Sequence, residues 1–563
     1  MSNASLELGG DNWAAKDGNL LGYAVGDSSG KYVPREFTFT RGSNLAATRV
    51  AANGLIEKGR ENLLVQSNNF DTTWTETNSI VTPNATTAPD GTNTASKIVE
   101  NTASTTQHRI NQVTTSSAGV KTFSVYLKQA DAARTTAWIR IGLSGCAIDL
   151  SDGSTSEESA NILSFSTPIA NGWYRVSITK TDASANETVR INIGQNDYSG
   201  DGTSGIFVWR AQYEEGLVAT DYIETGATTV QAGLLEDEPR IDYTGGTGSL
   251  LLEPNRTNLI PQSEYLGSWF SSAGTLTANI ATSPEGVKNA YSYSNNEYGI
   301  FKQIVTLSTS TQYTFSFYAK NVDATDAKYR VYDDTNATDI ISSTSYFSQL
   351  STNEWKRIEV TFTTSATGTT YGVYLASGNQ SGKALFYGAQ LEEGSYSSSY
   401  IPNHSGGSVT RGADVNTLLN QSEVIGQTEG TILFDAYFDE ADKVNFSISD
   451  STSSNYILID TTSGKQVFAR VQQGGSTQAT ISTSGSFFTE GDRLKCAIAY
   501  DSQDMAFYIN GTQVGTAAPN LIPTCDDVRF SRWNGALSAD QRVNQVVLFD
   551  TRISNNNLAT LTT

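Results

Sequence analysis

Short runs in which apolar and polar residues alternate recur along most of the chain. Residues 173–178 and 355–360 each begin with tryptophan and then alternate with a period of two, which predicts half-buried β-strands. Residues 122–127 and 313–318 are dense in aromatic and β-branched residues, which also favour strands. Clusters of Gly, Asn, Asp and Ser between these runs indicate turns. The pattern therefore predicts an all-β protein built from antiparallel sandwiches.

The middle of the chain contains two copies of one pattern. Asn62-Leu63-Leu64 in the first copy corresponds to Asn258-Leu259-Ile260 in the second. Further blocks recur in the same order: Trp74 and Trp269, 89–91 and 284–286, 123–128 and 315–320, 173–175 and 355–357, 211–216 and 389–394, and 221–223 and 399–401. Blocks in one order over such a length indicate a duplication. We expect the first and last blocks of each copy to pair, so that each domain is closed by its ends.

The repeat predicts a division of the chain into successive parts. These are an N-terminal segment of residues 1–59, a first jelly-roll module of 60–228, an extended connector of 229–254, a second jelly-roll module of 255–413, and a C-terminal domain of 414–563. In the last part, residues 505–514 are typical of a hairpin with Asn510-Gly511 as its turn.

Charge and composition exclude several kinds of partner. The chain has 37 Lys and Arg against 58 Asp and Glu, a net charge of −21, so its surface should repel nucleic acid. The absence of a long apolar run argues against membrane insertion, and the N-terminus does not have the pattern of a signal peptide. Three widely spaced cysteines are more typical of a reducing cytosol than of a disulfide framework. Whether Cys496 and Cys525 pair stays open.

Two families resemble parts of this sequence. Residues 497–514, 528–531 and 545–550 are similar to concanavalin A-like domains of the laminin G type. The duplicated module, from Asn62-Leu63-Leu64 to the Ala-Gln-x-Glu-Glu-Gly block at 211–216, resembles the carbohydrate-binding-module-type jelly rolls of bacteriophage fibre proteins. The N-terminal stretch of residues 6–23 also resembles the openings of phage virion proteins.

These resemblances imply a fold, a location and partners. The fold would be two tandem antiparallel jelly-roll β-sandwiches followed by a concanavalin A-like sandwich. The protein would be a virion structural subunit, such as a tail fibre, assembled in the host cytoplasm. Its N-terminal segment would dock on other virion proteins, and it would form a homo-oligomer, a trimer if it is a fibre. Its modules would bind host-surface polysaccharide.

Other functions stay open on the sequence alone. The protein could be a head fibre or capsid decoration protein with a purely architectural role. It could be a polysaccharide-degrading enzyme with binding modules attached, which would need a clustered pair of carboxylates. A secreted adhesin is opposed by the lack of a signal-peptide pattern.

Catalytic residues are scarce in this sequence. The only histidines are His108 and His404, and neither has a metal ligand at a suitable spacing. The paired acids Glu214-Glu215 and Glu392-Glu393 lie on predicted strands, where adjacent side chains point to opposite faces. A Gly-x-Ser-x-Gly match at residues 26–30 has no strand-to-helix setting. We therefore expect no enzyme activity.

Candidate ligand-binding residues lie in predicted loops. Arg532, Trp533 and Asn534 form one group in the last domain, and Tyr396 and Tyr400 lie near the end of the second module. Aromatic rings can stack on the apolar faces of sugars, although such residues more often pack in a protein core. No cofactor is expected. A structural calcium between the first and last strands of a module stays open, since related jelly rolls often bind one, and the metal ligands are unknown.

Overall fold

The computed structural model describes residues 4–16, 18–25, 32–43, 45–157, 161–379, 382–535 and 539–563. The Gly-x-Ser-x-Gly stretch at 26–30 lies outside these residues. Strand accounts for 53% of the chain and helix for 4%, so the predicted all-β fold class is confirmed. No helix in the described ranges has the length and apolarity that a membrane crossing requires.

The strands fall into groups that follow the predicted repeat. Before the first copy lie β1 (Leu6–Gly9), β2 (Ala15–Lys16), β3 (Asn19–Val25), β4 (Tyr32–Thr40), β5 (Thr48–Val50) and β6 (Ile56–Lys58). The first copy contains β7 (Arg60–Asn62), β8 (Thr75–Thr77), β9 (Ser79–Thr86), β10 (Ala95–Glu100), β11 (Thr106–Val113), β12 (Gly119–Gln129), β13 (Thr136–Ile141), β14 (Ser144–Asp149), β15 (Thr155–Glu157), β16 (Ile162–Pro168), β17 (Trp173–Ala183), β18 (Thr188–Tyr198), β19 (Gly205–Glu215) and β20 (Val230–Ala232).

The remaining elements run from the connector to the C-terminus. Between the copies lie β21 (Arg240–Asp242) and β22 (Ser249–Leu252). The second copy contains β23 (Arg256–Asn258), β24 (Phe270–Ala281), β25 (Ala290–Thr306), β26 (Gln312–Asn321), β27 (Lys328–Asp333), β28 (Thr338–Ser345), β29 (Lys356–Thr363), β30 (Thr370–Asn379), β31 (Gly382–Glu393) and β32 (Val409–Arg411). The last part contains β33 (Val415–Leu418), β34 (Gly430–Phe438), β35 (Val444–Ser449), β36 (Tyr456–Thr461), β37 (Val467–Gln473), β38 (Ser476–Ser482), β39 (Asp492–Tyr500), β40 (Met505–Ile509), β41 (Thr512–Ala517), β42 (Asp527–Arg529), β43 (Gln541–Phe549) and the helix α1 (Asn555–Leu561). Short 3₁₀ turns occupy Ala170–Gly172, Leu266–Ser268, Phe347–Gln349 and Ser422–Val424.

The chain folds into two compact units that are not continuous in sequence. The tandem unit comprises residues 58–233 and 257–409, which hold both copies of the repeat. The terminal unit comprises residues 1–57, 234–256 and 410–563. The grouping thus differs from the linear division predicted above, because the N-terminal segment and the connector fold with the C-terminal domain.

The first copy in the tandem unit is a sandwich of two six-stranded antiparallel sheets. One sheet has the order β16-β17-β12-β19-β10-β9, and the other has the order β15-β14-β13-β18-β11-β8. Alternate residues of each strand point inward, and the core includes Phe123, Val125, Ile139 and Ile191. The remaining residues of each strand therefore form two outer faces.

The second copy repeats the central strands of this sandwich, but its described residues include no counterparts of the edge strands β15 and β16, and its layers are linked by long strands. Its β25 is a single long strand in which residues 291–295 pair with β31 and residues 298–306 pair with β30. The first copy uses two separate strands, β10 and β11, for the same two pairings. One continuous strand therefore links the two layers of the second sandwich, whose core is rich in aromatic residues such as Phe301, Phe315 and Phe317.

Each sandwich is closed by an asparagine in its first strand. The amide of Asn62 donates to the carbonyls of Ala211 (3.2 Å) and Ile223 (2.8 Å) and accepts from the backbone N–H groups of Leu64 (3.2 Å) and Tyr213 (3.1 Å). In the second copy, Asn258 makes the same set of bonds with Ala389, Ile401, Ile260 and Leu391. The prediction that the first and last blocks pair is confirmed.

Two sheets also form the terminal unit. One contains β41-β40-β39-β34-β43, and the other contains β38-β37-β36-β35-β42-β33. Strand β4 joins both sheets, because residues 32–37 pair with β3 and residues 38–40 pair with β33. The outer edge of β43 is covered by β1 and, further along, by β22. Leu6, Leu8 and Leu250 enter the core from these strands, which explains why the distant segments fold together.

A buried cluster of charged residues joins the three segments of the terminal unit, residues 1–57, 234–256 and 410–563. Arg41 donates to Asp414 at 2.9 Å, Arg411 lies 2.9 Å from Glu253, and Arg240 contacts both carboxylates. These side chains are at most 2% exposed. Removing one partner would leave a buried charge without compensation. The cluster therefore favours the arrangement of the three segments in which all its charges are paired.

Candidate functional site

The outer face of the β15-β14-β13-β18-β11-β8 sheet carries an unusual set of side chains, which we call the Trp138 face. Across the strands, Trp138 lies opposite Asn192, which lies opposite Arg109. In the next row, Arg140 lies opposite Arg190, which lies opposite Asn111. The alternate residues of these strands, such as Ile139 and Ile191, point into the core.

Stacking and hydrogen bonds order the Trp138 face. The guanidinium of Arg140 lies over the Trp138 ring, 4.7 Å from its centroid, and both side chains are buried. Arg109 donates to the side-chain oxygen of Gln107, and Asn192 donates to the same oxygen at 3.4 Å. The pKa of the Arg190 guanidinium is lowered by burial and by the positive charges of Arg109 and Arg140.

Several polar atoms of the Trp138 face are not satisfied by protein groups. Among the described residues, the Nε atoms of Arg109 and Arg190, the indole Nε1 of Trp138 and the Oδ1 of Asn192 are buried and have no hydrogen-bond partner. An unsatisfied buried polar group costs about 1–3 kcal/mol. These four atoms belong to neighbouring side chains on one outer face of the sheet.

The second sandwich carries a different set at the corresponding position, which we call the Tyr374 face. Arg330 lies opposite Tyr374, which lies opposite Lys302. The guanidinium of Arg330 lies 4.3 Å from the ring centroid of Tyr332 and 5.4 Å from that of Tyr374, and the Lys302 ammonium lies 5.1 Å from the Tyr374 centroid. Both faces therefore combine an aromatic ring with cations that lie on it.

The two faces differ in how their cations are paired. On the Tyr374 face, Lys302 lies 3.4 Å from Asp334 and Arg330 lies 2.5 Å from Asp339. On the Trp138 face, no carboxylate of a described residue lies within 4 Å of Arg109 or Arg190. Glu187 is the acidic residue closest to Arg190 along the sequence, and its carboxylate pairs with the Lys180 ammonium at 2.5 Å.

A group in the terminal unit contains Arg532, Trp533 and Asn534. Trp533 is half-buried and stacks on Tyr456, with ring centroids 4.5 Å apart and planes 11° apart, and Arg532 lies 5.7 Å from the Trp533 centroid. Asn534 is exposed. One face of the indole thus packs against β36, over an outer cluster of Val444, Leu458 and Phe468. The sequence prediction of a ligand site here remains a prediction, although one ring face is already used for packing.

Asp460 lies on β36 near the Trp533 group. Burial raises the pKa of its carboxyl to about 6, although the backbone N–H of Thr461 and the nearby Arg532 and Arg470 act in the opposite direction. The carboxyl therefore titrates near neutral pH, which gives the surroundings of this group a pH-dependent charge.

The structure places Tyr400 in the closing network of the second sandwich. Its ring is 1% exposed, and its hydroxyl bonds the Ser263 hydroxyl at 2.7 Å and lies 3.3 Å from a Glu264 carboxylate oxygen. Burial and the Glu264 charge raise the pKa of Tyr400 well above its ordinary value. Tyr222 makes the equivalent bond with Ser67, at 2.6 Å, in the first sandwich. Tyr400 thus offers no ring face to a ligand in this structure.

Tyr396 lies near Tyr400 in the segment that follows β31, and it is half-buried. The sequence prediction that it binds a ligand stays a prediction. Neither tyrosine belongs to the Trp138 face or the Tyr374 face. The sequence analysis missed both faces because their members lie on strands rather than in loops.

The groups that could support catalysis or metal binding have structural roles. His108 is buried, and its ring nitrogens lie 2.6 Å from the Asn78 carbonyl and 3.4 Å from the Tyr198 carbonyl. Glu214 is buried against Gln212 and Thr220, whereas Glu215 pairs with Lys121 on the other side of β19. In the described part of the chain, no three His, Cys, Asp or Glu side chains are grouped to hold a metal ion. Cysteines 146, 496 and 525 are buried and form no disulfide in this structure.

A concavity in the tandem unit is a weaker candidate. A cavity of about 440 Å³ lies between the two sandwiches and is lined by residues that include Leu163, Phe165, Leu217 and Val287. Phe165 is well exposed there. Its polar lining is partly occupied, since Thr179 and Asn279 both donate to the Leu217 carbonyl. The cavity is therefore better explained as a seam between two packed sandwiches.

Comparison with known proteins gives a family for one part of the chain. Residues 262–382 match the family model CBM_4_9, described as a carbohydrate binding domain. The second sandwich resembles a carbohydrate-binding domain. The match includes every residue of the Tyr374 face, and the matched family is a binding family rather than a catalytic one. No curated protein sequence matches the chain significantly.

Solved structures give only distant matches. The sialidase module CBM40 of Ruminococcus gnavus is 15% identical, covering 24% of this chain and 84% of its own, with a TM-score of 0.22. The tandem CBM22 domains of Xyn10C from Paenibacillus barcinonensis are 12% identical, covering 63% and 100%, with a TM-score of 0.21. The LG1-3 region of the laminin alpha2 chain is 9% identical, covering 80% and 96%, with a TM-score of 0.18.

Proposed function

We propose that this protein is a non-catalytic glycan-binding protein, and that its tandem sandwiches bind sugar chains through the Trp138 face and the Tyr374 face. The observation that carries the proposal is that the carbohydrate-binding family match spans the whole Tyr374 face. The same outer face of the other copy also combines an aromatic ring with cations and amides.

The chemistry of both faces suits sugars. A guanidinium that lies on an aromatic ring is held in a fixed plane, with its N–H groups directed outward. Sugar hydroxyls can accept hydrogen bonds from these N–H groups, while the apolar C–H face of a sugar ring can contact the half-buried ring of Tyr332. The rings of Trp138 and Tyr374 are buried and support the cations. Arg140 with Trp138, and Arg330 with Tyr332 and Tyr374, provide such pairs.

We propose further that the chain is a phage virion appendage subunit that presents these faces to the host surface. The support is the resemblance of the duplicated blocks and the N-terminal stretch to phage fibre proteins. Because β1 is a strand of the terminal unit, docking on the particle would use the outer surface of that unit rather than a free N-terminal arm. A head fibre or capsid decoration protein is the alternative, and the repeated sandwiches would then act as spacers.

The glycan proposal is tested with the full chain on a glycan array and by titration calorimetry. We expect binding to at least one polysaccharide without release of reducing ends. Tyr332→Ala, at a half-buried position of the Tyr374 face, should weaken the binding of a glycan that occupies this face by about tenfold, since its ring supports Arg330.

Trp533→Ala is the matched control in the terminal unit. We expect this variant to keep its affinity for a glycan that Tyr332→Ala loses. The reverse result, with Trp533→Ala losing affinity and Tyr332→Ala keeping it, would move the site to the terminal unit. Steady hydrolysis of a bound polysaccharide would contradict the non-catalytic proposal.

The virion proposal has a separate test. Density or antibody labelling on intact particles should place the chain on an appendage, and light scattering should show an oligomer. Labelling on the capsid shell would favour the decoration alternative, and a monomer at high concentration would contradict the fibre proposal.

A further inference from the structure

The Trp138 face concentrates positive charge in a protein that is strongly negative. The chain has 21 more acidic than basic side chains, yet Arg109, Arg140 and Arg190 lie on three adjacent strands of one face. Arg140 and Arg190 lie directly opposite each other, and like charges at such positions destabilise a sheet. A face of this kind is therefore costly to the fold.

No carboxylate of a described residue forms an ion pair with Arg109 or Arg190. Arg109 donates to the neutral Gln107, and the acid closest in sequence to Arg190 is occupied by Lys180. The neighbours along the rows, Asn192 and Asn111, are also neutral amides. Arg109 and Arg190 are only half-buried, so their donors lie within reach of a ligand.

The second sandwich shows that the same fold can carry paired cations at this position. Lys302 and Arg330 each have an aspartate, at 3.4 and 2.5 Å. The difference is not imposed by the sandwich, because the two copies share the order of their central strands and their closing bonds. Among the described residues, Arg109 and Arg190 therefore differ from Lys302 and Arg330 in having no carboxylate paired directly with them, although Glu187 acts on Arg190 from a greater distance.

We propose that the Trp138 face binds sugars that carry an acidic group, and that Arg109 and Arg190 supply the positive charge that recognises it. This inference rests on the proposed function and adds the class of ligand. The planar guanidinium can donate two parallel N–H bonds to a carboxylate, a sulfate or a phosphate. Trp138 and Asn192, in the adjacent row, are buried and would support the arginines, through Arg140 and Gln107, rather than contact the sugar. The Tyr374 face, whose cations are already paired, would bind neutral sugars.

The test uses the full chain and three matched probes in titration calorimetry. The probes are a galacturonic acid hexasaccharide, the same oligosaccharide with its carboxylates reduced to alcohols, and a sulfated heparin hexasaccharide. We expect at least one acidic probe to bind about tenfold or more tightly than the reduced probe, since charge-assisted hydrogen bonds are about twice as strong as neutral ones. The two acidic probes distinguish a carboxylate from a sulfate as the recognised group.

Two double variants locate the effect. Arg109→Gln with Arg190→Gln should reduce the binding of the acidic probe by about tenfold or more and leave the reduced probe unaffected. The matched control, Lys302→Gln with Arg330→Gln on the Tyr374 face, should leave the acidic preference intact. Raising the salt concentration from about 0.05 to 0.5 M should weaken the binding of the acidic probe alone. Thermal unfolding of each variant checks that the fold is retained.

The outcomes separate this inference from the proposed function. If the reduced probe or another neutral glycan binds as tightly as the acidic probes, the acidic preference is wrong and glycan binding stands. If the acidic preference persists without Arg109 and Arg190, the assignment to the Trp138 face is wrong. If neither these probes nor a panel of neutral glycans binds, both proposals fail.

Discussion

The two copies of the sandwich agree where the chain closes and differ on one outer face. Asn62 and Asn258 make the same bonds to the last block, and Ser67 with Tyr222 corresponds to Ser263 with Tyr400. The closing bonds were kept after the duplication because each sandwich needs them to hold its ends together. The outer faces were free to diverge because no core residue depends on them.

The comparison therefore separates residues that serve the fold from residues available for recognition. A recurring polar residue, such as Asn62 or Tyr400, is explained by the closing network. A polar residue outside the recurring blocks, such as Arg190, needs another explanation. The copies also differ in the pairing of the cations on these faces, and the proposal of different ligands rests on that difference.

The strongest test of this comparison is to remove the shared anchors. Asn62→Ala and Asn258→Ala should each lower the free energy of unfolding of their sandwich by about 3 kcal/mol, because each leaves several buried backbone groups without a partner. Denaturant unfolding of the full chain measures both effects. The exposed Asn353→Ala is the control and should change stability by less than about 0.5 kcal/mol. Clearly unequal losses for the two anchors would show that the closing networks are not equivalent.

The buried carboxyl group of Asp460, on β36, extends the comparison to the terminal unit. Because the pKa of Asp460 is raised to about 6 in the folded protein, the folded state favours the protonated carboxyl. Wild-type stability should therefore fall as the pH rises from about 4 to above 6. Asp460→Asn removes this dependence and should be more stable than wild type by about 2 kcal/mol at pH 8.

The same pair of proteins at pH 4 provides the internal control. There the wild-type carboxyl is protonated in the folded state and only partly ionised in the unfolded state, so the difference in unfolding free energy should fall below about 1 kcal/mol. Thermal unfolding over the pH range checks the prediction. A variant that is less stable than wild type at pH 8 would show that the ionised carboxylate of Asp460 stabilises its surroundings.

The smallest expected effects are changes in the free energy of unfolding that have opposite signs for the two faces. Arg190→Gln should raise the free energy of unfolding by about 0.5 kcal/mol, because it removes repulsion from the opposing Arg140. Arg330→Gln should lower it by about 0.5 kcal/mol, because it removes the pairing with Asp339. Differential scanning calorimetry can compare them. Destabilisation by both variants would indicate that Arg190 has a compensated environment and would weaken the contrast between the faces.

Local pattern was enough to predict the strands, the duplication and the closure of each copy. It also contained the recurrence of Tyr222 and Tyr400 in corresponding blocks, which favours a structural residue over a ligand contact. The Trp138 face was not predictable in the same way. Alternation shows that Arg140 and Arg190 point outward, but only the pairing of β13 with β18 brings them together.

The terminal unit shows the same limit on a larger scale. Leu6 and Leu8 alternate with Glu7, so a strand with one buried side was predictable. Its partner was not, because residues 6–9 pair with residues 545–548 at the other end of the sequence. Alternation indicates which face of a strand is buried and carries no information on the neighbouring strand.

The pairing of β1 with β43 has a consequence for the order of folding during synthesis. A ribosome that adds about 5–20 residues per second needs about half a minute to two minutes to make the partner of the first strand. During that time β1 exposes an unpaired apolar edge, while the sandwiches of the tandem unit emerge complete and can fold. Strand β1 is thus made long before its partner and is among the last strands to become native, so a chaperone would have most to protect there.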